Sequence, residues 1–536
     1  MACARLSSSS ASRALPVLPH GISPIANTAP FFVRCSRLQC YSTAADHAAV
    51  QERNDVVKPF SEMPGKGSET LTGRLTYAFQ GWSQRNTVKK PWDRYSEWNE
   101  KYGPVYKRVF GNTAMVYVTD PEDIAVVCRN EGKYPTRYTD RLDMFHAWKV
   151  YKRQRNIPFG LMTTNGPAWF QRRTALNKKM LRPIEVPKYG GVVNDVVTDL
   201  IEKIRRVREA DNVVPEFQML MYTWAIESIS AILFNKRLHL FGETVSTEAN
   251  NFINGFLDVS DTCVTLFKFP ASVQSALRTK PWRKHVKGWD AVFDYVIKRI
   301  DEKMAEVQLL EEKGELPSPE NLDIVQHLLL HSDLSTDMIY SQMTEVFMGA
   351  VDTTANTFQW AVYNLASNPE KQEKLREEVR RTVPKGEPIS YKHIEEIPYV
   401  TAVIKETLRV NPVVVNNSRV LDKDITIKGY NIPAGTPIVM LFHQSGRNSK
   451  YFEDPDQFKP ERWLTKRSDK LSSFTSMPFG FGPRMCIGKR FAMLELQVLL
   501  ARISQDFSLE NSRTVEPKMS ILMVPDRPLN PKFIDR

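Results

Sequence analysis

The chain of 536 residues carries a formal net charge of +12, from 73 Lys and Arg against 61 Asp and Glu. Its hydrophobic fraction of 42%, with 10% aromatic residues, is ordinary for a globular protein with a large core and excludes a wholly disordered chain. The basic surplus suits anionic lipid or an acidic protein partner, and because no nucleic-acid motif accompanies it we expect no nucleic-acid partner.

The N-terminal 45 residues contain four arginines, many serines and no acidic residue, and the first acid is Asp46. This composition is typical of an organelle transit peptide, with a chloroplast leader and a disordered tail as alternatives. No later run approaches the roughly 18 apolar residues of a membrane span. No linker or repeat follows, so we predict a removed leader over 1–45 and one large domain over 46–536.

Short elements are predicted first, followed by a long loop. They are a helix over 95–102, strands over 105–110 and 114–118, and a helix over 121–129. Residues 134–165 then form an irregular stretch rich in Arg, Tyr and Trp, with Met144 and Trp148 among its apolar members. Long loops of this kind often cover a functional site.

A helix is predicted over 168–180. Trp169 and Arg173 are four residues apart and therefore share one face of it. Both side chains donate hydrogen bonds, so the pair suits an anionic group, although a plain surface pair is the alternative.

Residues 190–310 are predicted to be helical throughout. Aromatic residues at 266–270 precede a basic cluster, and this combination can enter an anionic membrane surface without spanning the bilayer. The cluster contains Arg278, Lys280, Arg283, Lys284 and Lys287. A core loop beside a solvated basic helix is the alternative.

The longest predicted helix covers 336–367, with Ser335 as its N-cap. Residues 349–354 in its middle include a glycine, an acid and two threonines, which are poor helix formers. A helix that tolerates this composition needs space and polar groups there, so we expect a kink or a widened turn.

Glu406 and Arg409 follow an apolar run in a predicted helix over 400–410, which predicts that both are buried and partnered. Arg462 supplies a third charged member. The same E-x-x-R spacing occurs in Glu373/Arg376, Glu377/Arg380 and Glu378/Arg381. Those pairs lie in a highly charged helix over 370–382, where exposed pairs add little stability.

A single cysteine, Cys486, lies in a turn-rich stretch over 478–488. Gly480, Gly482 and Gly488 allow positive φ and close approach of a flat ligand. Backbone N–H groups of such a loop, with the start of a helix predicted over 489–505, stabilise a thiolate. A buried structural cysteine is the alternative. Small strands are predicted at 413–419, 425–427, 431–432, 437–441 and 521–524.

The pattern F-x-x-G-x-R-x-C-x-G at 479–488 resembles the haem-ligand signature of the cytochrome P450 family. The W-x-x-x-R, acid–Thr, E-x-x-R and P-E-R-W motifs occur in the family's order, and the resemblance runs from about residue 57 to the end. Within this family the chain resembles the mitochondrial type, and it is similar to the animal vitamin D and sterol side-chain hydroxylases. The implied fold is mainly α with small β-sheets: a single large cytochrome P450-type domain with haem between a long central helix and the cysteine loop.

The resemblance implies a role for each motif. Cys486 is the axial iron ligand of haem b, and Asp352 and Thr353 relay protons on the oxygen-binding side. The other implied haem contacts are Trp169, Arg173, Arg419, Phe479, Arg484 and Gly488. The implied structural clamp behind the haem is Glu406, Arg409 and Arg462. The implied substrate contacts are Met144, Trp148, Val351, Val413 and Val414.

The implied function is hydroxylation of a hydrophobic small molecule (sterol, secosteroid or other isoprenoid) with O2. Electrons come from an acidic [2Fe-2S] ferredoxin, itself reduced by an NADPH-ferredoxin reductase. The implied ferredoxin patch is Lys405, Lys466, Arg467, Lys489 and Arg490. Thr401 stands where mitochondrial relatives often place a second lysine. The implied location is mitochondrial, peripheral on the matrix side of the inner membrane.

Other haem-thiolate functions remain as alternatives. One is an isomerase or dehydratase that needs no redox partner, and the Asp352–Thr353 pair argues against it. Another is a haem carrier or sensor, for which a second axial His or Met would be expected. A retinoid or xenobiotic monooxygenase is the alternative within the same chemistry.

Overall fold

A computed structural model of the protein describes residues 57–67, 90–110, 113–137, 144–464 and 473–536. The predicted leader over 1–45 lies outside these residues, as do Lys466 and Arg467. Cys128, Cys263 and Cys486, the three cysteines within the described ranges, are free thiols.

Helices form most of the described chain. In order they are α1 (Pro91–Tyr102), α2 (Pro121–Arg129), α3 (His146–Gln154), α4 (Gly166–Met180), α5 (Gly190–Val207), α6 (Phe217–Phe234), α7 (Thr247–Lys268), α8 (Ala271–Ala276), α9 (Lys280–Lys313), α10 (Ile324–His331), α11 (Thr336–Ala366), α12 (Pro369–Thr382), α13 (Tyr391–Glu396), α14 (Pro398–Val410), α15 (Phe442–Gly446) and α16 (Lys489–Asp506). Single 3-10 turns cover Phe60–Glu62, Pro183–Tyr189 and Pro460–Trp463.

The strands are short. They are β1 (Gly65–Lys66), β2 (Val105–Phe110), β3 (Thr113–Val118), β4 (Asn417–Val420), β5 (Ile425–Ile427), β6 (Tyr430–Ile432), β7 (Pro437–Met440), β8 (Phe507–Asn511), β9 (Pro517–Met519), β10 (Met523–Pro525) and β11 (Pro531–Asp535). A five-stranded sheet has the order β1-β2-β3-β7-β4, and three two-stranded sheets pair β5 with β6, β8 with β11, and β9 with β10. The expected fold class, mainly α with small β-sheets, is confirmed.

The central element is α11, which is buried on nearly all of its faces. The Ser335 hydroxyl caps its start by accepting from the Met338 N–H at 3.4 Å, and Asp337 places a negative charge in the first turn. Large apolar side chains along its length, including Phe347, Phe358 and Trp360, belong to the main hydrophobic core. At about 1.5 Å per residue the helix crosses the whole domain.

The structure corrects the sequence interpretation in the 134–165 stretch. This stretch is not irregular throughout, because α3 forms within it and buries Ala147, Trp148 and Tyr151. The aromatic residues that marked a loop in the sequence instead pack against the aromatic residues of α9, with Trp148 edge-on to Trp289 at 4.8 Å between ring centres.

Among the described residues, α6 alone is long and apolar enough to cross a bilayer, and 78% of it is buried inside the protein. The expectation that no run approaches a membrane span was therefore wrong, because α6 has the length and the apolar composition of such a span. The burial of α6 is that of a core helix.

Two glycines permit the close crossing of α7 and α9. A Cβ at Gly288 would lie 2.7 Å from the Gly255 carbonyl oxygen, and a Cβ at Gly255 would lie 2.9 Å from the Gly288 carbonyl oxygen. Because the obstructing atoms belong to backbone, the helices must separate to admit a side chain at either position.

Replacing Gly288 with Ala is expected to lower the free energy of unfolding by roughly 1–3 kcal/mol through overpacking. The measurement is the midpoint of chemical unfolding followed by circular dichroism. Gly191→Ala is the control, because a Cβ there meets no atom within 4 Å, and it is expected to change stability by less than about 1 kcal/mol. Equal effects of the two substitutions would contradict the close crossing.

Candidate active site

The cysteine loop is built from two tight turns. Gly480 and Gly482 adopt φ of 70° and 69°, a region that favours glycine. The Cys486 N–H donates to the Phe479 carbonyl at 2.8 Å, which closes the loop. Gly488 differs from expectation: its φ is −84°, and it is the N-cap residue of α16.

The Cys486 side chain sits among opposing electrostatic influences. Burial raises the pKa of the thiol, whereas a hydrogen bond from the Gly488 backbone and the charges of Arg173, Arg137 and Lys489 lower it. A cation coordinated to the sulfur would deprotonate it outright. The surroundings therefore suit a thiolate that is paired with a metal.

Trp169 and Arg173 are both buried on α4, where their spacing of four residues places them on one face. The guanidinium carbon of Arg484 lies 3.9 Å from the centre of a Trp169 ring, and Arg484 also donates to the Pro135 carbonyl at 2.7 Å. The structure thus brings these three side chains of α4 and the cysteine loop together.

The buried Nε of Arg173 has no hydrogen-bond partner among the described residues. Burial lowers the pKa of this guanidinium to about 10, and the Cys486 sulfur opposes that shift. An unsatisfied buried cation is costly, so Arg173 suits an anionic ligand.

Arg419 is buried on β4 and is held by a partner that the sequence interpretation missed. Its Nε donates to Glu131 just beyond α2, forming a buried ion pair. Burial raises the pKa of Glu131, and its Oε1 has no partner among the described residues. A Cβ at Gly482 would lie 1.9 Å from that oxygen, so the glycine is needed for the carboxylate to fit.

Asp352 and Thr353 lie on α11, and α-helical hydrogen bonding continues through residues 349–354, so the widened turn expected there does not form. The Thr353 hydroxyl donates to the Gly349 carbonyl at 2.9 Å. The Asp352 carboxylate accepts from the Ser260 hydroxyl at 3.1 Å, and burial raises its pKa to about 6. An acid with this pKa exchanges protons readily near neutral pH.

Glu406 is the centre of a fully buried charge network. Arg409 donates to both of its oxygens at 2.7 and 2.9 Å, and Arg462 donates to Oε1 at 3.0 Å. Trp463 Nε1 donates to Oε2 at 2.9 Å, and the Lys459 backbone N–H donates to Oε1 at 2.9 Å. The network joins α14 to the 460–463 turn that precedes the cysteine loop.

Comparison with known proteins places the chain in a family. Residues 73–533 match the sequence model of the cytochrome P450 family. The chain belongs to the cytochrome P450 family. It is 32% identical over 479 residues to the mitochondrial 1,25-dihydroxyvitamin D(3) 24-hydroxylase of Mus musculus, covering 89% of each chain.

Two further relatives are similarly distant. The mitochondrial sterol 26-hydroxylase of Mus musculus is 32% identical over 512 residues, covering 93% of each chain. The mitochondrial cholesterol side-chain cleavage enzyme of Capra hircus is 32% identical over 479 residues, covering 88% of this chain and 89% of the relative. As a cytochrome P450, the protein is a haem-binding monooxygenase and an oxidoreductase.

The described residues fit haem. A porphyrin carries two propionate carboxylates, and the unpartnered Arg173 Nε is a buried donor for one of them. A Cβ at Gly488 would meet no atom within 4 Å, so there is room beside Cys486. Arg419 already holds Glu131 in this cytochrome P450, and its predicted propionate contact stays a prediction.

The residues predicted to contact substrate are spread over several elements. Trp148 is buried and donates from Nε1 to the Cys263 sulfur at 3.4 Å, which ties α3 to α7. Val351 is buried on α11, Val413 is buried, and Met144 and Val414 are half-buried. The Val413 carbonyl accepts from the Met523 N–H at 2.9 Å, so the C-terminal hairpin lies against the segment that precedes β4. The strand predicted over 413–419 begins only at Asn417.

The predicted ferredoxin patch is described only in part. Lys405 is exposed on α14, and Lys489 and Arg490 are exposed at the start of α16. A surface groove of about 520 Å³ lies between these helices, and Thr401, Lys405, Trp463 and Gln497 are among its lining residues. Arg490 donates to the Leu181 carbonyl at 2.5 Å.

Glu131, Arg137 and Glu345 were missed by the sequence interpretation. Arg137 donates to the Arg484 carbonyl at 2.6 Å and thereby supports the cysteine loop. No motif marks these residues. The available signal was the Arg-rich character of the 134–165 stretch, which contains Arg137.

Replacing Glu406 with Ala is expected to lower the free energy of unfolding by about 3–5 kcal/mol, because it leaves two buried arginines without their carboxylate. The measurement is the denaturant midpoint together with the yield of haem-loaded protein.

Glu377→Ala is the control for that substitution. Glu377 has the same E-x-x-R spacing but is exposed on α12, so its loss is expected to change stability by less than about 0.5 kcal/mol. A Glu406→Ala protein as stable as this control would show that the buried network is dispensable.

Proposed function

We propose that this cytochrome P450 hydroxylates a sterol, secosteroid or related isoprenoid in mitochondria, with electrons from an acidic ferredoxin. The observation that carries the proposal is the unpartnered Arg173 beside Cys486, which requires an anionic cofactor at the thiolate. The names of the relatives support the substrate class and the compartment, since all three are mitochondrial enzymes of sterols or secosteroids.

The reaction balances as R–H + O2 + 2 electrons + 2 H⁺ giving R–OH and H2O. Haem, when bound, supplies the activation of dioxygen, and its electronics depend on the thiolate ligand. Cys486 holds the iron in this assignment. Trp169, Arg173, Arg419 and Arg484 receive the propionates and fix the orientation of the ring. Phe479 and Gly488 shape the loop around the cysteine.

The chain's own part in the chemistry includes delivery of the two protons. Asp352 takes protons from the Ser260 and Tyr222 side, since both side chains hydrogen-bond its carboxylate. Thr353 is the adjacent hydroxyl on α11 and passes them toward the oxygen-binding side. A pKa of about 6 lets Asp352 release and regain a proton within one turnover. This pair favours a monooxygenase over an isomerase or dehydratase, which needs no proton delivery to oxygen.

The ferredoxin docks, in this proposal, on the face formed by α14 and the start of α16. Lys405, Lys489 and Arg490 are exposed there, and Lys466 and Arg467 belong to the same predicted patch outside the described residues. Complementary charge steers an acidic carrier to such a surface. The face carries the start of the helix that follows Cys486, so an electron arriving there enters on the thiolate side.

Peripheral membrane contact is proposed for the turn between α7 and α9. Phe267, Phe269 and Leu277 are 66%, 56% and 70% exposed, although large apolar side chains are usually buried. The exposed cations Arg278 and Arg283 lie beside them. Apolar wedges flanked by basic residues suit the anionic matrix-side leaflet of the inner mitochondrial membrane and give a lipid-soluble substrate a short route.

The substrate class and the electron source are tested together by reconstitution. Hydroxylated product from a sterol or secosteroid is expected only when ferredoxin, its reductase, NADPH and O2 are all present, with one labelled oxygen atom entering from labelled O2. Mass spectrometry of the product is the measurement. Turnover of a hydroperoxide without an electron donor would favour the isomerase, and spin-state shifts with retinoids alone would overturn the sterol assignment.

Asp352→Asn is expected to lower the hydroxylation rate by roughly 100-fold, because the general acid is lost. The turnover–pH profile of the wild type bends near pH 6, where Asp352 titrates, and the variant lacks that bend. Substrate-induced spectra stay unchanged. Asp337→Asn, at the exposed start of the same helix, is the control and keeps both rate and bend. A retained bend in Asp352→Asn would assign the titration to another group.

A further inference from the structure

Residues 160–165, which we call the strap, run between α11 and the cysteine loop. They follow α3 and lead directly into α4, which carries Trp169 and Arg173. The strap forms a turn over 161–163 but no helix or strand, so its position depends largely on the side chains that hold its backbone.

Glu345 of α11 holds one end of the strap. Its fully buried carboxylate accepts hydrogen bonds from the backbone N–H groups of Gly160, Met162 and Thr163 at 3.1, 2.6 and 3.3 Å. The Thr163 hydroxyl donates to the same carboxylate at 2.5 Å. A Cβ at Gly160 would lie 2.5 Å from the Glu345 carboxyl carbon, so glycine is needed for this close approach.

Lys152 of α3 balances the charge of Glu345. Its fully buried ammonium forms an ion pair with Oε1 of the carboxylate and donates to the Ser341 hydroxyl at 2.7 Å. Ser341 in turn donates to the Pro158 carbonyl at 2.5 Å, just before the strap. Two desolvated charges of this kind are retained at a cost, which suggests that they fix a geometry rather than add stability.

The cysteine loop holds the other end. Arg484 donates to the Thr164 carbonyl at 3.1 Å and to the Asn165 side-chain oxygen at 2.8 Å. Between the two ends, the Met162 sulfur lies 3.2 Å from the position that a Cβ would take on Gly349. The strap therefore places one flexible apolar side chain against the turn of α11 that precedes Asp352.

We propose that Glu345 is a positioning residue that locks the strap over the oxygen-binding side of the haem and so sets the place of Met162. Lys152 orients the carboxylate through their ion pair. This inference rests on the proposed role of the Asp352–Thr353 region. Release of the strap from Glu345 frees Met162 from its contact with Gly349. This opens a path along α11 by which a small ligand such as carbon monoxide reaches the haem.

The test is hydrogen–deuterium exchange on the haem-loaded enzyme, with Glu345→Gln compared to wild type. The amides of residues 160, 162 and 163 are expected to exchange at least about tenfold faster in the variant, since each loses a charged acceptor. Carbon monoxide rebinding to the ferrous enzyme after flash photolysis is expected to accelerate several-fold. Neither readout needs the substrate or the ferredoxin. A wrong substrate class or electron donor in the proposed function would therefore leave both results unaffected.

Glu227→Gln is the matched control. Glu227 is also a fully buried carboxylate, paired with Arg237, and it accepts from the backbone N–H groups of residues 238, 239 and 240 at 3.0, 3.1 and 3.1 Å. Its variant is expected to expose that segment to exchange while leaving the strap amides and carbon monoxide rebinding unchanged. Faster rebinding in this control as well would overturn the assignment.

Thr163→Val covers the case in which Glu345→Gln does not accumulate as a folded protein. It keeps the Lys152–Glu345 pair and the side-chain shape but removes the hydroxyl, which donates to Glu345 and accepts from the Gly160 N–H at 3.0 Å. Strap exchange is therefore expected to rise about two- to tenfold. Unchanged exchange of residues 160–163 in Thr163→Val, or in a folded Glu345→Gln protein, would overturn the proposal.

Discussion

Desolvated charge is the constraint on which the region around Cys486 depends. Removing a carboxylate or guanidinium from water costs several kcal/mol unless an opposite charge and hydrogen bonds replace the lost hydration. Glu345 and Glu131 meet this demand with Lys152 and Arg419, each from a distant part of the chain. Glu406 meets it with Arg409 on the same helix and with Arg462 of the 460–463 turn. Each of the three long-range pairs therefore fixes two segments relative to each other around the cysteine loop, the strap and α11.

Arg173 stands apart within this pattern. Its charge is buried without a hydrogen-bond partner for Nε among the described residues, and its nearest electrostatic influences include a thiol. An anionic ligand that reaches Arg173 would replace the hydration that its guanidinium loses on burial. The same reasoning predicts that haem binding stabilises the fold, because a propionate would satisfy a group that the protein alone leaves unsatisfied.

Local signals predicted much of the fold and part of the site. The boundaries of β2 and α2 follow from turn and proline chemistry, and the long α11 follows from its cap and length. The apolar run before Glu406 distinguished it from three other E-x-x-R matches, and the network of that carboxylate agrees with the expected burial. In these cases the deciding information lies within a few residues of the feature.

The misses have the opposite character. Helix α3 was interpreted as a loop because its apolar residues are large aromatics, whose burial depends on α9 more than 130 positions away. Glu131 and Glu345 have no recognisable neighbours in sequence, and their partners Arg419 and Lys152 are 288 and 193 positions away. Long-range pairing of this kind leaves no periodic signal, so only the folded chain discloses it.

Three helices are linked into a closed cycle through the site. Asp352 of α11 bonds Ser260 of α7, and three residues further along α7 Cys263 accepts from Trp148 of α3. Four residues further along α3, Lys152 pairs with Glu345, which lies seven residues before Asp352 on α11. Residues at i, i+3, i+4 and i+7 share a helical face, so each step stays on the inner surface of its helix. A shift of α3 that loosens the strap must therefore also disturb the partners of Asp352. In the proposed mechanism, access to the haem and delivery of protons are therefore tied to one packing arrangement.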